Sequence, residues 1–192
     1  MMKRAFAALC LAALLAGCGS SKHASSTSAT PTKVLPAATT PDAWSRRVVT
    51  LLLRPLNADL QIVNGFASPQ IRFFIKTENQ TTLSTIRTRM RDLLRCSTKL
   101  AVIAPPPPGS APLRQVNRSL RRACTSYEHV ATKLLEATDL LSSGRNDSVQ
   151  KGDKVLNSLG PATQAASAEL IDAVRVAQDI PAFRRAGLKP SV

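Results

Sequence analysis

The chain has 192 residues, with 26 Lys or Arg against 12 Asp or Glu and a formal net charge of +14. Aromatic residues are 4% of it, and Ala, Leu, Val and Ile carry the apolar weight. That argues against a strand-rich sandwich and for helices packed through aliphatic side chains. The charge surplus sets no fold, but it predicts attraction to anionic surfaces.

Met1-Met2-Lys3-Arg4 is followed by Ala5 to Ala16 without a charge. A basic start and an apolar run of about a dozen residues have the form of a signal peptide. A membrane-spanning helix needs roughly 20 apolar residues, so this run is too short to span. It ends in Leu15-Ala16-Gly17-Cys18, which resembles the lipobox of bacterial lipoproteins. The resemblance covers the first 18 residues only. It implies a diacylglyceryl thioether on Cys18, cleavage after Gly17, and acylation of the new terminus, as by palmitate. A thiol suits this role because it is the nucleophile that becomes the thioether. The other reading is an ordinary signal peptide that happens to carry a cysteine. The lipobox reading gives the expected location as the cell envelope, outside the cytoplasm, lipid-anchored to a bacterial membrane. Nucleic acid, the default partner of a cytoplasmic chain this basic, then gives way to other anions. Those are lipid head groups, lipopolysaccharide or teichoic phosphates, and wall carboxylates. Removal of Lys3 and Arg4 leaves 24 basic against 12 acidic residues, or +12.

Residues 18–40 read as a lipid-anchored tether: ten of the 22 residues from Gly19 to Thr40 are Ser or Thr, without hydrophobic period. Its expected reach is about 25 Å. His23 lies in it as a solvated residue. Thr40-Pro41-Asp42 then starts a helix with a cap, a proline at the first position and an acid in the first turn. Trp44, Val48, Leu51, Leu52, Leu56, Leu60 and Val63 follow at helical spacing, with a kink expected at Pro55 and a stop at Asn64-Gly65. Ser68-Pro69 starts the next stripe, Ile71, Phe74, Ile75, then Leu83, Ile86, Met90, Leu93 and Leu94. The polar stretch 76–82 suggests two helical pieces. Four prolines, 105–108, forbid helix and favour a stiff spacer. The clearest helix opens at Ser110 to Pro112, steps through Leu113, Val116, Leu120, Cys124, Tyr127, Leu134 and Leu141, and ends at Ser142-Ser143-Gly144. A last helix, capped by Asn146 or Asp147, runs to Ala177 with a kink or split at Gly160-Pro161. The expected fold is all-α: an antiparallel four-helix bundle over 41–181 behind the tether, with signal peptide 1–17 and a loose basic tail 182–192.

Two features of this domain carry chemistry. With Cys10 in the signal peptide and Cys18 taken by lipid, Cys96 and Cys124 remain as a pair in an oxidising compartment. Both lie on or beside apolar stripes, and a bridge between neighbouring antiparallel helices is expected; two buried inert thiols are the alternative. The second feature is the series Arg87, Arg91, Arg95, Lys99 at i+4 spacing, with Arg118 and Arg122 on the following helix, near Arg114 and Arg121. Like charges at i+4 disfavour an isolated helix slightly, so helix formation gives no reason for them. The readings are an anion-binding face or a solvated face of a basic protein.

Catalytic constellations are missing from the sequence. His129 is the one histidine of the domain, and its neighbour Glu128 points elsewhere on a helix. No His/Cys cluster has metal-ligand spacing, and there is no Cys-x-x-Cys, phosphate loop or Gly-x-Ser-x-Gly. The expectation is therefore a non-enzymatic envelope lipoprotein, without metal or cofactor, that binds or scaffolds through its basic face. The alternative is a carrier or sensor bundle that holds a small ligand between its helices, opened by the kinks at Pro55 and Pro161.

Overall fold

The computed structural model describes residues 35–66, 75–77 and 80–189. The lipobox with Cys18, most of the tether, and the expected helix start at Ser68-Pro69 with Ile71 and Phe74 lie outside the described residues. Every regular element among the described residues is helical, so the fold is all-α.

The first helix, α1 (Pro41–Arg47), starts as its sequence requires, with Thr40 Oγ1 accepting the Ala43 N–H at 3.2 Å. It runs on through a π-helical turn, Val48–Leu53, into α2 (Arg54–Gly65). Pro55 explains the wide turn. It has no N–H for an i−4 carbonyl, and its ring crowds that carbonyl. The backbone slips by one residue just before it, and the Arg54 N–H donates to Val49 O instead. The expected interruption thus takes the form of a π turn inside a continuous helical run.

The next stripe divides into α3 (Gln80–Leu93) and α4 (Cys96–Ile103). Arg95, between them, has φ −101° and ψ 10° and offers α4 no side-chain cap. The cap comes from elsewhere: Glu128 accepts from Ser97 N at 2.7 Å and Ser97 Oγ at 3.0 Å. A carboxylate at these first free amides also complements the helix dipole. Helix α4 ends at Ala104, whose φ of 67° is unusual for a residue with a Cβ. Its carbonyl accepts the Trp44 indole N–H at 3.1 Å, and Pro105 follows.

Helix α5 (Ala111–Ser142) has 32 residues, is capped by Ser110, and is followed by Gly144 at φ 68°. At about 1.5 Å per residue it is about 48 Å long. It packs against α3, α4, α6 (Asn146–Ser158) and α7 (Gly160–Gln178). Gly160-Pro161 does split the expected last helix. Arg145, not Asn146 or Asp147, occupies the N-cap position of α6 and makes no side-chain cap bond. Gly152 lets α6 lie directly on α5, because a Cβ there would stand 2.9 Å from Leu141 Cγ and 3.2 Å from Ala137 O.

The expected loose tail is corrected over 182–188. Pro181–Arg185 forms a short helix, α8, and Phe183 is fully buried, edge-on to Trp44 at 5.8 Å. Its end is a Schellman motif, with Leu188 N–H donating to Phe183 O at 3.0 Å and Gly187 at φ 91°. Aromatic burial anchors the tail despite its charges.

Cross-links fix the relative directions. Trp44 meets Ala104 and Asp59 meets Arg89; Ser97 meets Glu128 and Arg87 meets Asp139; Ser126 meets Glu169 and Ser119 meets Asp172. In each set, numbers rise on one segment as they fall on the other.

Candidate functional site

Cys96 and Cys124 are joined, Sγ–Sγ 2.07 Å and Cα–Cα 5.1 Å, and both are buried. The bridge ties the first turn of α4 to the middle of α5. The stagger comes from the connection 104–110, which carries α5 back past the end of α4.

The six basic residues expected to share a face do not behave alike. Arg87 is held by Asp139 at 2.8 Å. Lys99 is half-buried beside Asp59 and Asp92. Arg122 donates to Ser119 Oγ at 3.3 Å, and Ser119 in turn to Asp172 of α7 at 3.2 Å, so it belongs to the α5–α7 side. Arg91, Arg95 and Arg118 are exposed and have no ion-pair partner among the described residues. A single stripe on one helix is therefore corrected, because its register breaks at Leu94–Arg95 and acids from other segments claim part of it.

What replaces it is a contiguous stretch of chain. From Leu93 to Tyr127 there are six cations, Arg95, Lys99, Arg114, Arg118, Arg121 and Arg122, and no acid. This stretch folds into α4, the proline connection and the first half of α5, where every one of the six except Lys99 is exposed. Arg114, Arg118 and Arg121 follow at four and three residues along α5, one face of a helix. Arg121 also borders a shallow cavity of about 290 Å³ over Ser97, Leu100 and Thr125 on the α4 side. Arg95, Arg114, Arg118 and Arg121 thus remain as exposed cations without ion-pair partners among the described residues on α4 and the first half of α5.

Asp59 escaped the sequence reading, although a signal was there: it sits three after Leu56 and four before Val63, on the apolar face of its helix. It is 2% exposed, and Arg89 Nη1 stands 3.5 Å from Oδ1, an ion contact and not an aligned hydrogen bond. Burial raises its pKa above 3.8, opposed by the Lys99 charge, reinforced by Asp92, and opposed again by Arg89. The folded state therefore holds this proton more tightly than the unfolded chain. The stabilisation from that proton is complete below about 3.8 and is lost as pH rises through the folded pKa. Asp59→Asn is expected to raise the midpoint of urea unfolding at pH 7, with the gain shrinking toward pH 4. A variant less stable than the parent at pH 7 would show that the Arg89 contact outweighs desolvation.

A second surface lies between the first helical run and α7. One cavity, about 500 Å³, has Val49, Leu53, Leu56 and Leu60 on one wall and Leu170 and Val174 on the other, with Arg54, Asn57, Gly187 and Leu188 at its edge. Another, about 640 Å³, has Val63 and Phe66 facing Gly160, Thr163, Ser167 and Ile171, with Leu134 of α5 and Leu156 of α6 also lining it. Ile171 is 66% exposed at that rim. These sizes are within the range of small-molecule sites. Helices bearing Pro55 and Pro161 form the two walls.

His129 is exposed, and Glu128 is turned toward Ser97 as described. Among the described residues no cluster of three His, Cys, Asp or Glu side chains could hold a metal ion, and no helix is long and apolar enough to cross a membrane. Tyr127, whose pKa is raised by burial, shares a hydrogen bond of 3.1 Å with Ser167. No family model, curated protein or solved structure matches the chain.

Proposed function

We propose that this chain is a lipid-anchored, extracytoplasmic lipoprotein of the bacterial envelope, a non-enzymatic binding or scaffold module that holds anionic envelope partners on the exposed cations of α4 and α5. The observation that carries the reading is the acid-free stretch 93–127, in which Arg95, Arg114, Arg118 and Arg121 are exposed and without ion pairs among the described residues. The lipobox residues Leu15 to Cys18 supply the anchor, and the Cys96–Cys124 bridge suits an oxidising compartment. We read the fold as an antiparallel four-helix bundle, with segments 41–65, 80–103, 111–142 and 146–178 as its successive members. The partners in view are lipid head groups and wall polymers, through phosphate or carboxylate.

The test uses the chain carrying Cys18→Ala, which cannot be acylated at that residue, mixed with anionic or neutral vesicles. Each basic residue near an anionic membrane contributes about 1 kcal/mol. Replacing Arg95, Arg114, Arg118 and Arg121 together by Gln should abolish most binding at 0.1 M salt. Replacing Arg145, Lys151, Lys154 and Arg184 removes the same charge elsewhere and should weaken it much less. Raising salt to 1 M shortens the screening length from ~10 Å to ~3 Å and should release the parent chain from anionic vesicles. Equal losses in the two quadruple variants would reduce these cations to bulk charge.

A further inference from the structure

The cross-linked segment pairs are tied by named contacts: Trp44–Ala104 and Asp59–Arg89, the Cys96–Cys124 bridge, and Ser126–Glu169 with Ser119–Asp172. The seam between the first helical run and α7 differs, because cavities follow its length. Read upward from Val49 to Phe66 on one wall, the lining descends from Val174 to Gly160 on the other. The two cavities therefore follow one another along the first run and α7, the second bordered also by Leu134 and Leu156. From Arg54 to Phe66 the wall is about 18 Å long at about 1.5 Å per residue. One acyl chain spans half of a hydrocarbon core of about 30 Å, so the wall accommodates a single extended chain.

The polar end is equally defined. Arg54 is exposed at the edge of the first cavity and has no ion-pair partner among the described residues. Its Nη2 stands over Gly187, 3.4 Å from where a Cβ would be. The Schellman motif holds the next residue, Leu188, as part of the wall. No acidic side chain is among the described residues that line either cavity. A lone cation beside Leu53, Leu56, Leu60, Leu170 and Val174, with no acid in the lining, matches a ligand with one negative charge and one long chain.

We propose that this seam is a binding site for a long-chain fatty acid, its carboxylate on Arg54 and its hydrocarbon chain extended past Leu56, Leu60 and Leu170 toward Val63. The π turn at Val48–Leu53 serves the site by setting Val49 and Leu53 along the wall. The site shares no lining residue with the cavity bordered by Arg121 and includes none of Arg95, Arg114, Arg118 and Arg121, so this inference stands or falls separately from the envelope-binding reading.

The test is equilibrium dialysis of the chain carrying Cys18→Ala, stripped of lipid, against laurate, 1-dodecanol or acetate. Laurate should saturate at one molecule per chain, dodecanol should bind more weakly, and acetate not at all. Arg54→Gln should weaken laurate binding about tenfold, the loss of one charge-assisted hydrogen bond, and leave dodecanol unchanged. Leu60→Gln, at a half-buried wall position, should weaken both, while Arg145→Gln, in the α5–α6 turn, should change neither. Thermal unfolding of each variant shows that it is folded, and dodecanol binding by Arg54→Gln shows that the apolar wall is intact. The proposal is overturned if laurate does not saturate, or if Arg54→Gln weakens it no more than Arg145→Gln does. It is also overturned if sedimentation finds a dimer that Leu60→Gln or Ile171→Gln dissociates while laurate fails to bind, which would make the seam an interface between two copies.

Discussion

Trp44→Ala is expected to lower the stability of the domain by about 3–5 kcal/mol, the range for removing a large aromatic from a core. Three structural roles converge on this side chain. It is fully buried, its indole N–H donates to Ala104 O at 3.1 Å, and its ring meets Phe183 edge-on at 5.8 Å. It therefore joins the start of the first helix, the end of α4 and the C-terminal α8 in one contact. A domain of this size loses about 2–4 °C in Tm for each kcal/mol, so a drop of roughly 6–20 °C is expected. Trp44→Phe keeps most of the ring and removes the hydrogen bond, and should fall between the variant and the parent. Trp44 is the single tryptophan of the chain, so its fluorescence reports unfolding directly in the parent, while both variants need circular dichroism. A Tm unchanged in Trp44→Ala would mean that the three elements are not joined there.

Reducing the Cys96–Cys124 bridge is the other large effect. It closes a loop with a sequence separation of 28. Chain-entropy arithmetic for a loop of that size gives about 3.5 kcal/mol, taken from the unfolded state. The native contacts around it do not depend on the bond: both cysteines lie in the apolar core, and Glu128 caps α4 next to it. The reduced protein should therefore stay helical at room temperature, yet melt about 7–14 °C lower. Cys96→Ala with Cys124→Ala should melt close to the reduced parent. Thiol titration of unreduced protein should find neither cysteine free. If reduction leaves Tm unchanged, the bridge adds nothing beyond the packing of α4 on α5.

What the sequence determined by itself was local. Helical class followed from apolar residues three and four apart. The limits of α5 followed from Ser110-Ala111-Pro112 at one end and Gly144 at the other, and the start of α1 from Thr40-Pro41. These signals act within one or two turns, where hydrogen bonds and φ preferences are set by near neighbours. The pairing of Cys96 with Cys124 was equally legible, since Cys10 and Cys18 belong to the leading segment. The tertiary structure decided everything that depends on a partner distant along the chain. Arg87 ceased to be a free cation because Asp139, 52 residues on, reaches it, whereas Arg95 and Arg118 met no acid among the described residues. Asp59, polar by composition, became buried because α3 and α4 close over it. A basic C-terminal stretch became part of the core through Phe183 and Trp44, 139 positions apart. Periodicity marks the apolar side of a helix but not which neighbour covers it, and it left invisible that the first run and α7 would meet along a seam containing cavities. That is decided by the volumes and lengths of helices fitted together, where the π turn Val48–Leu53 and the break before Gly160 shift the walls that face each other.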